Sequence, residues 1–269
     1  MVQTTAPACG HTMWPYLIIG THCVRFSEMR RYKVAQNPLI YNVVKEYPDM
    51  IRIYIYKTPY ALPEPGYTRK EPKRPKDGIN DDSIHRSIRR TKSTIADLVL
   101  CNNFELFCTF TFDPKKHDRY DVNRCKFVMS MWLHRQREHS PDMKYLIVPE
   151  FHKDGALHFH ALLANFNGKL KDSKKRQNGR IIYNMTGYRA GFTTAVPIDN
   201  NKVAVSNYIK KYITKDMPLI YGRKRYWVSQ NLIKPIKMVN AFSRIQKLPL
   251  FTKKTYETEY YEVFETMKV

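Results

Sequence analysis

The strongest constraint on the fold is a pair of apolar segments separated by a short polar turn, between positions 145 and 163. The first segment ends near Glu150, and the second contains the run Leu157-His158-Phe159-His160 followed by further apolar residues. Two such segments around a glycine-containing turn are typical of a β-hairpin. Because successive side chains of a strand point to opposite faces, we expect His158 and His160 to share one face and Phe159 to lie on the other.

The length of the turn decides which face Glu150 joins. A three-residue turn over 153–155, with Gly155 in the left-handed conformation, places Glu150 directly opposite His158. A two-residue turn places Glu150 opposite Phe159 instead. The first register predicts two imidazoles and one carboxylate on one face, a set of donors that suits Mn²⁺ or Mg²⁺ acting on a phosphate. The alternative is that these are two ordinary strand histidines.

A second group of candidate functional residues lies near position 210. If the segment 208–216 is a helix, the side chains of Tyr208, Lys211, Tyr212 and Lys215 fall within a sector of about 100°. A phenol in this position can attack a phosphodiester, and a neighbouring ammonium group can stabilise the negative charge that develops. The alternative is an amphipathic helix whose basic face is merely solvated.

The charge of the chain predicts a polyanionic partner. Lys and Arg total 46 and Asp and Glu total 24, which gives a formal net charge of +22. Neutralisation of phosphates by Lys and Arg drives nucleic-acid binding, so nucleic acid is the expected partner and an anionic membrane surface is the competing one. Because no apolar run is long enough to span a bilayer and no signal-peptide pattern is present, we expect a cytoplasmic protein without a membrane partner.

Two segments contain the residues that we expect to contact DNA. One is a basic loop after the second apolar segment, which carries Lys174, Lys175 and Arg176. The other is the alternating aromatic strand 107–112, which carries Thr109 and Thr111. The sequence has no GxxxxGK[ST] phosphate-binding loop, so it gives no indication of an ATP-driven motor.

The order of predicted elements indicates an α+β fold with a central antiparallel sheet flanked by helices. We predict three regions: an N-terminal accessory region over 1–80, which ends in a basic, proline-rich linker, a central domain over 81–220, and a basic, aromatic C-terminal extension over 221–269. The linker assignment depends on four prolines among Lys and Arg between positions 62 and 78.

Three motifs in this order resemble those of the HUH endonucleases. They are Phe-Cys-Thr-Phe-Thr-Phe-Asp-Pro at 107–114, His158-Phe159-His160, and the repeated Tyr-x-x-Lys that starts at Tyr208 and again at Tyr212. The segment 145–163 resembles rolling-circle replication initiators of bacterial phages, plasmids and integrative elements. The resemblance covers roughly 84–235. It implies a nuclease domain of the RRM or ferredoxin-like type.

The same resemblance assigns roles to two sets of residues. It implies that a divalent cation, Mn²⁺ or Mg²⁺, is held by His158 and His160, with Glu150 as the acidic third ligand. It also implies that the paired tyrosines are the nucleophiles of the two-tyrosine branch. Their accompanying lysines are Lys211 and Lys215.

The activity implied is nicking and rejoining of single-stranded DNA, at an origin hairpin or a displaced strand, through a 5′-phosphotyrosine. A host helicase and polymerase are the expected partners, in the cytoplasm of a bacterial cell. A relaxase or single-strand transposase of the same superfamily is one alternative, although tyrosines that follow the histidines favour an initiator. Another is a nucleic-acid-binding protein without catalysis, which would stack bases on the strand 107–112.

Overall fold

The computed structural model describes residues 16–19, 22–25, 39–61, 81–199, 201–218, 225–248 and 253–268. Its strands are β1 (Tyr16–Ile19), β2 (His22–Arg25), β3 (Leu39–Glu46), β4 (Met50–Ala61), β5 (Leu106–Phe110), β6 (Lys144–Phe151), β7 (Leu157–Ala164), β8 (Leu170–Gln177), β9 (Arg180–Met185), β10 (Thr193–Pro197), β11 (Trp227–Val228), β12 (Ile236–Val239), β13 (Lys253–Glu257) and β14 (Tyr261–Met267). Its helices are α1 (Asp81–Cys101), α2 (Val122–His139), α3 (Lys202–Ile209) and α4 (Phe242–Gln246), and a 3-10 turn (Lys210–Tyr212) follows α3.

The larger sheet has seven strands in the order β11-β6-β7-β5-β10-β9-β8, and neighbouring strands are antiparallel. The predicted hairpin is the β6–β7 pair, and both strands are buried along most of their length. Helices cover both faces of this sheet, so successive residues of β6 and β7 enter two different hydrophobic cores.

One core lies between the sheet and α2. It contains Trp132 and Met129 of α2 together with Ile147, Phe159 and other odd-numbered residues of β6 and β7. The other core lies between the opposite face and the helices α1 and α3, and its strand residues are even-numbered: Leu146, Val148 and Leu162. The predicted α+β fold, with a central antiparallel sheet flanked by helices, is confirmed.

The second sheet has five strands in the order β12-β3-β4-β14-β13, so it combines residues 39–61 with residues 236–267. It is joined to α1 by Tyr47, whose hydroxyl donates to Asp97 at 2.6 Å, and by Lys45, whose ammonium donates to the same carboxylate at 2.7 Å. Tyr47 also packs with Met50, Leu100 and Cys101. The predicted linker over 62–78 and the boundaries predicted at 80 and 220 lie outside the described residues, so the three-region division stays a prediction.

The segment predicted as a basic loop is instead a strand. Lys174, Lys175 and Arg176 belong to β8, which pairs with β9 and forms one edge of the seven-stranded sheet. The pairing register shifts between Asp172 and Arg176, and Lys174 has a positive φ of 64°. Such an irregularity, together with lysines, is a common way to protect an edge strand from pairing with another chain. The polar composition of this segment concealed its strand conformation.

Candidate functional site

The turn between β6 and β7 has the three-residue form, one of the two alternatives that the sequence allows. The backbone N–H of His152 donates to the carbonyl of Ala156 at 2.8 Å, and the N–H of Gly155 donates to the carbonyl of His152 at 2.8 Å. Gly155 has a φ of +85°, which a residue with a side chain rarely adopts. Glu150 therefore lies directly opposite His158, in the register that the metal hypothesis requires.

Glu150 contacts the second histidine rather than its direct cross-strand partner. Its Oε2 atom lies 2.7 Å from Nε2 of His160, and the other ring nitrogen of His160 lies 3.2 Å from the hydroxyl of Thr109. The side chain of His160 is 8% exposed. Burial lowers the pKa of His160, while the hydrogen bond to Glu150 acts in the opposite direction. Both ring nitrogens of this buried histidine are thus held by side chains of neighbouring strands.

His158 lies on the same face but makes a different contact. Its ring stacks on His152, with the ring centroids 4.9 Å apart. Burial lowers the pKa of His158, and the nearby imidazoles of His152 and His160 lower it further. In the described part of the chain, no three His, Cys, Asp or Glu side chains converge in an arrangement that holds a metal ion. The predicted donors therefore share a face but form a Glu150–His160 pair and a separate histidine stack.

The helix that carries the tyrosines is shorter than predicted. Instead of continuing to 216, α3 ends at Ile209, a 3-10 turn follows, and Ile213 is extended with φ −87° and ψ 91°. Ile209 and Ile213 are both fully buried against the sheet. Because the chain leaves the helix here, Lys215 lies beyond the turn, exposed, and does not continue a helical face with Tyr208.

The two tyrosines lie beside the Glu150–His160 pair. The Tyr212 ring stacks on His160 with centroids 3.7 Å apart and an angle of 17° between the planes. Tyr208 meets Tyr212 edge-on, with centroids 5.8 Å apart, and the ammonium of Lys211 lies 5.4 Å from the centre of the Tyr208 ring. Burial, and then its hydrogen bond with Tyr208, raise the pKa of Tyr212. Tyr208 is 42% exposed and is the more accessible phenol.

Residues 105–217 match a family of replication-associated proteins of the ORF2 type. The matched segment begins just before β5 and ends after the 3-10 turn, so it contains the histidines, Glu150 and both tyrosines. The match supports a replication initiator of the rolling-circle type. Neither a comparison with curated proteins nor one with solved structures found a match. None of the helices in the described ranges is both long enough and apolar enough to cross a membrane.

The residues predicted to contact DNA differ in their contacts within the protein. The hydroxyl of Thr109 lies against His160, as above, and the hydroxyl of Thr111 donates to the carbonyl of Phe192 at 3.2 Å. Lys174 and Lys175 are exposed on β8. The guanidinium of the adjacent Arg176 pairs with Asp172 at 3.1 Å. The two lysines thus remain the better candidates for phosphate contacts.

Two further aromatic residues, Phe107 and His152, belong to this candidate site although the sequence did not indicate them. Phe107 lies edge-on to Tyr208, with centroids 4.9 Å apart, and is stacked near Tyr212 at 6.3 Å. His152 forms the stack with His158. Strand alternation could have indicated both, because residues two apart along a strand share a face. Phe107 lies two residues before Thr109, and His152 lies two residues after Glu150.

Proposed function

We propose that this protein is an HUH-type replication initiator of the two-tyrosine branch. It nicks single-stranded DNA at an origin and rejoins strands during rolling-circle replication. The observation that carries the proposal is the stacking of Tyr212 on His160 at 3.7 Å, with Tyr208 beside it. Two phenols, the buried imidazole of His160 and the half-buried carboxylate of Glu150 are thereby brought from distant parts of the chain to one place on the sheet.

In this proposal Tyr208 makes the first attack, because its phenol is the more exposed of the two. Its oxygen bonds to the phosphorus as the phenol loses its proton, the bond from phosphorus to the 3′ oxygen breaks, and that oxygen takes up a proton. The products are a 5′-phosphotyrosine and a free 3′-hydroxyl. One phosphodiester replaces another, so attack by a 3′-hydroxyl reseals the strand without ATP. Tyr212 serves a second transfer in the same cycle.

Nearby cations support this attack. An unassisted phenol has a pKa of about 10, so its ionisation at neutral pH needs a stabilising charge. Lys211 places its ammonium 5.4 Å from the centre of the Tyr208 ring, where it stabilises negative charge on the phenol. Lys211 is therefore positioned to assist the nucleophile. The same role for Lys215 is proposed from the second Tyr-x-x-Lys motif, since this lysine lies beyond the 3-10 turn.

His158, His160 and Glu150 are the residues that would hold Mn²⁺ or Mg²⁺. Two imidazoles and a carboxylate fit such an ion chemically, and when bound it would polarise the scissile phosphate. Binding requires the Glu150–His160 hydrogen bond to open, so that Nε2 of His160 presents a lone pair. Thr109 supports that state, because its hydroxyl can accept a hydrogen bond from Nδ1–H and so fixes the tautomer.

The partners in this proposal are single-stranded DNA, as an origin hairpin or a displaced strand, and a separate host helicase and polymerase. The net charge of +22 supports binding to the phosphate backbone. The absence of a GxxxxGK[ST] loop from this sequence supports unwinding by another protein.

The test is the formation of a covalent adduct. The protein is incubated with Mn²⁺ and a pool of single-stranded oligonucleotides of random internal sequence, labelled at either the 5′ or the 3′ end, and resolved on a denaturing gel. We expect the 3′-label to travel with the protein and the 5′-label to be released, and the Tyr208→Phe/Tyr212→Phe double variant to give no adduct. A binding protein without catalysis would retard DNA on a native gel and form no adduct with either label.

A further inference from the structure

A cavity of about 520 Å³ opens directly beside Tyr208. Its walls come from four parts of the fold: β5, β10, α3 and the turn between β8 and β9. Its volume falls within the range of pockets that hold small organic ligands, which is roughly 300–1,000 Å³. It is therefore large enough for a nucleobase with its sugar, and its formation depends on several separate elements rather than on one motif.

The cavity is continuous with the candidate active site. Thr109 and Tyr208 line it, and these two residues also contact His160 and Tyr212, respectively. The same sheet face continues from β5 onto β10, where Thr194 pairs with Thr109. A single strand of DNA with one phosphate at Tyr208 can therefore place an adjoining nucleotide in this cavity.

The chemistry of the walls favours a base over a phosphate. Phe107, Val196 and Val205 provide aromatic and apolar surface, and the amides of Gln177 and Asn178 provide both donors and acceptors at the rim. Among the described residues that line the cavity, the cationic side chain is that of Arg180, and it is paired with Asp199. The described walls of the cavity thus offer no uncompensated cation to bind a phosphate. They do offer a stacking surface and hydrogen-bonding groups that match the edge of a nucleobase.

The geometry points to a binding site for one nucleobase of single-stranded DNA, next to the phosphate that Tyr208 attacks. This inference rests on the proposed function for the position of that phosphate. The amides at the rim would discriminate between bases, so this cavity gives the protein a sequence preference that phosphate contacts alone cannot provide.

The test compares equilibrium binding of homopolymers of dT, dC and dA of about twelve nucleotides with that of an abasic strand of the same length. We expect the affinities of the wild-type protein for its best and its worst homopolymer to differ by about tenfold, the effect of one well-formed base contact. This ratio of affinities is called the spread below. Ala204→Trp places an indole in the cavity from an exposed position of α3 and should reduce this spread to about twofold. Its affinity for the abasic strand should not change.

Val203→Trp is the matched control. Val203 is the neighbouring exposed residue of α3 and does not line the cavity, so this variant should keep the full spread. Gln177→Ala leaves the volume open but removes an amide, and it should change the order of preference among the homopolymers. A wild-type protein with no spread, or an Ala204→Trp variant with the wild-type spread, would overturn the inference.

Adduct formation is measured on the same preparations, so that failure of the base site can be distinguished from failure of the proposed nicking activity. Adducts without any base preference would overturn the cavity assignment and leave the tyrosine chemistry intact. A base preference that Ala204→Trp abolishes, without adducts on any DNA, would keep the base site and overturn the proposed nicking activity.

Discussion

The phenol ring of Tyr212 lies almost parallel to the imidazole of His160, with the two ring centroids 3.7 Å apart. This contact joins the 3-10 turn after α3 to the middle of β7, and it places both tyrosines on the sheet face that carries Glu150 and His160. Because His160 is itself held by Glu150 and Thr109, a shift in any of these four side chains would displace the others.

The first prediction concerns the separate roles of Tyr208 and Tyr212 in cleavage. Tyr208→Phe should reduce the first cleavage of short oligonucleotides by about tenfold or more, because the remaining phenol is less exposed and has a raised pKa. Tyr212→Phe should retain that first cleavage but lose repeated rounds on a circular substrate. Adduct yield on gels and product length measure the two effects. Complete loss of adduct in Tyr212→Phe, with wild-type behaviour of Tyr208→Phe, would reverse the assignment.

The second prediction concerns metal removal. Treatment with EDTA should abolish adduct formation, and added Mn²⁺ or Mg²⁺ should restore it, since imidazole and carboxylate donors would bind the ion. His158→Ala and His160→Ala should also abolish cleavage, while binding of single-stranded DNA largely survives because it depends on Lys and Arg. Full cleavage by either alanine variant would exclude that histidine from the metal site.

The third prediction concerns Thr109 as a positioning residue for His160. Thr109→Val keeps the size of the side chain but removes the hydroxyl that lies 3.2 Å from Nδ1. The Mn²⁺ concentration needed for half-maximal adduct formation should rise by about 10–100-fold, the usual effect of losing a partner behind a metal ligand. Thr109→Ser restores the hydroxyl and should restore the metal response. A Thr109→Val variant with an unchanged metal requirement would show that the contact has no such role.

The fourth prediction concerns the salt dependence of DNA binding. Lys175 is exposed on β8, so Lys175→Gln should remove one phosphate contact and lower the slope of log affinity against log salt by about 0.7. Arg176→Gln should change the slope less, because Asp172 already compensates this guanidinium. Binding titrations with single-stranded DNA at several salt concentrations measure both slopes. Equal slopes for wild type and Lys175→Gln would show that the lysine is merely solvated.

The fifth prediction concerns the junction between the five-stranded sheet and α1. Tyr47 is 1% exposed and donates to Asp97, so Tyr47→Phe should lower the free energy of unfolding by about 1.5–3 kcal/mol, the usual contribution of a hydrogen bond to a charged group. Urea unfolding measures this difference. Phe retains the packing with Met50 and Leu100, so a loss much larger than this would indicate a wider rearrangement.

The buried phenol of Tyr47 also predicts how the stability of the protein depends on pH. Burial, and then Asp97, raise the pKa of Tyr47 well above its ordinary value, so the folded state favours the neutral phenol. The contribution of Tyr47 to stability is therefore complete below the unfolded pKa of about 10 and is lost as the pH rises above it. Tyr47→Phe should lose less stability than the wild type between neutral and strongly alkaline pH. An identical alkaline loss in both proteins would contradict the assignment.

Local pattern was sufficient to predict the β6–β7 hairpin and to restrict its register to two alternatives. The alternation of His158, Phe159 and His160 assigns their faces, and a three-residue turn with Gly155 in the left-handed region sets Glu150 opposite His158. The alternation depends on neighbouring residues alone, so the sequence by itself determined it, whereas the choice between the two turn lengths was decided in the folded structure. The α+β class followed in the same way from the order and periodicity of the strands and helices.

Other features were decided by contacts between distant segments. The helix stops at Ile209 because the chain turns to bury Ile213 against the sheet, and this turn brings Tyr212 onto His160. The polar segment at Lys174 becomes an edge strand because β9 is available to pair with it. The cavity beside Tyr208 needs four separate elements at once. Local propensity contributes only fractions of a kcal/mol per residue, so burial and pairing between distant segments override it.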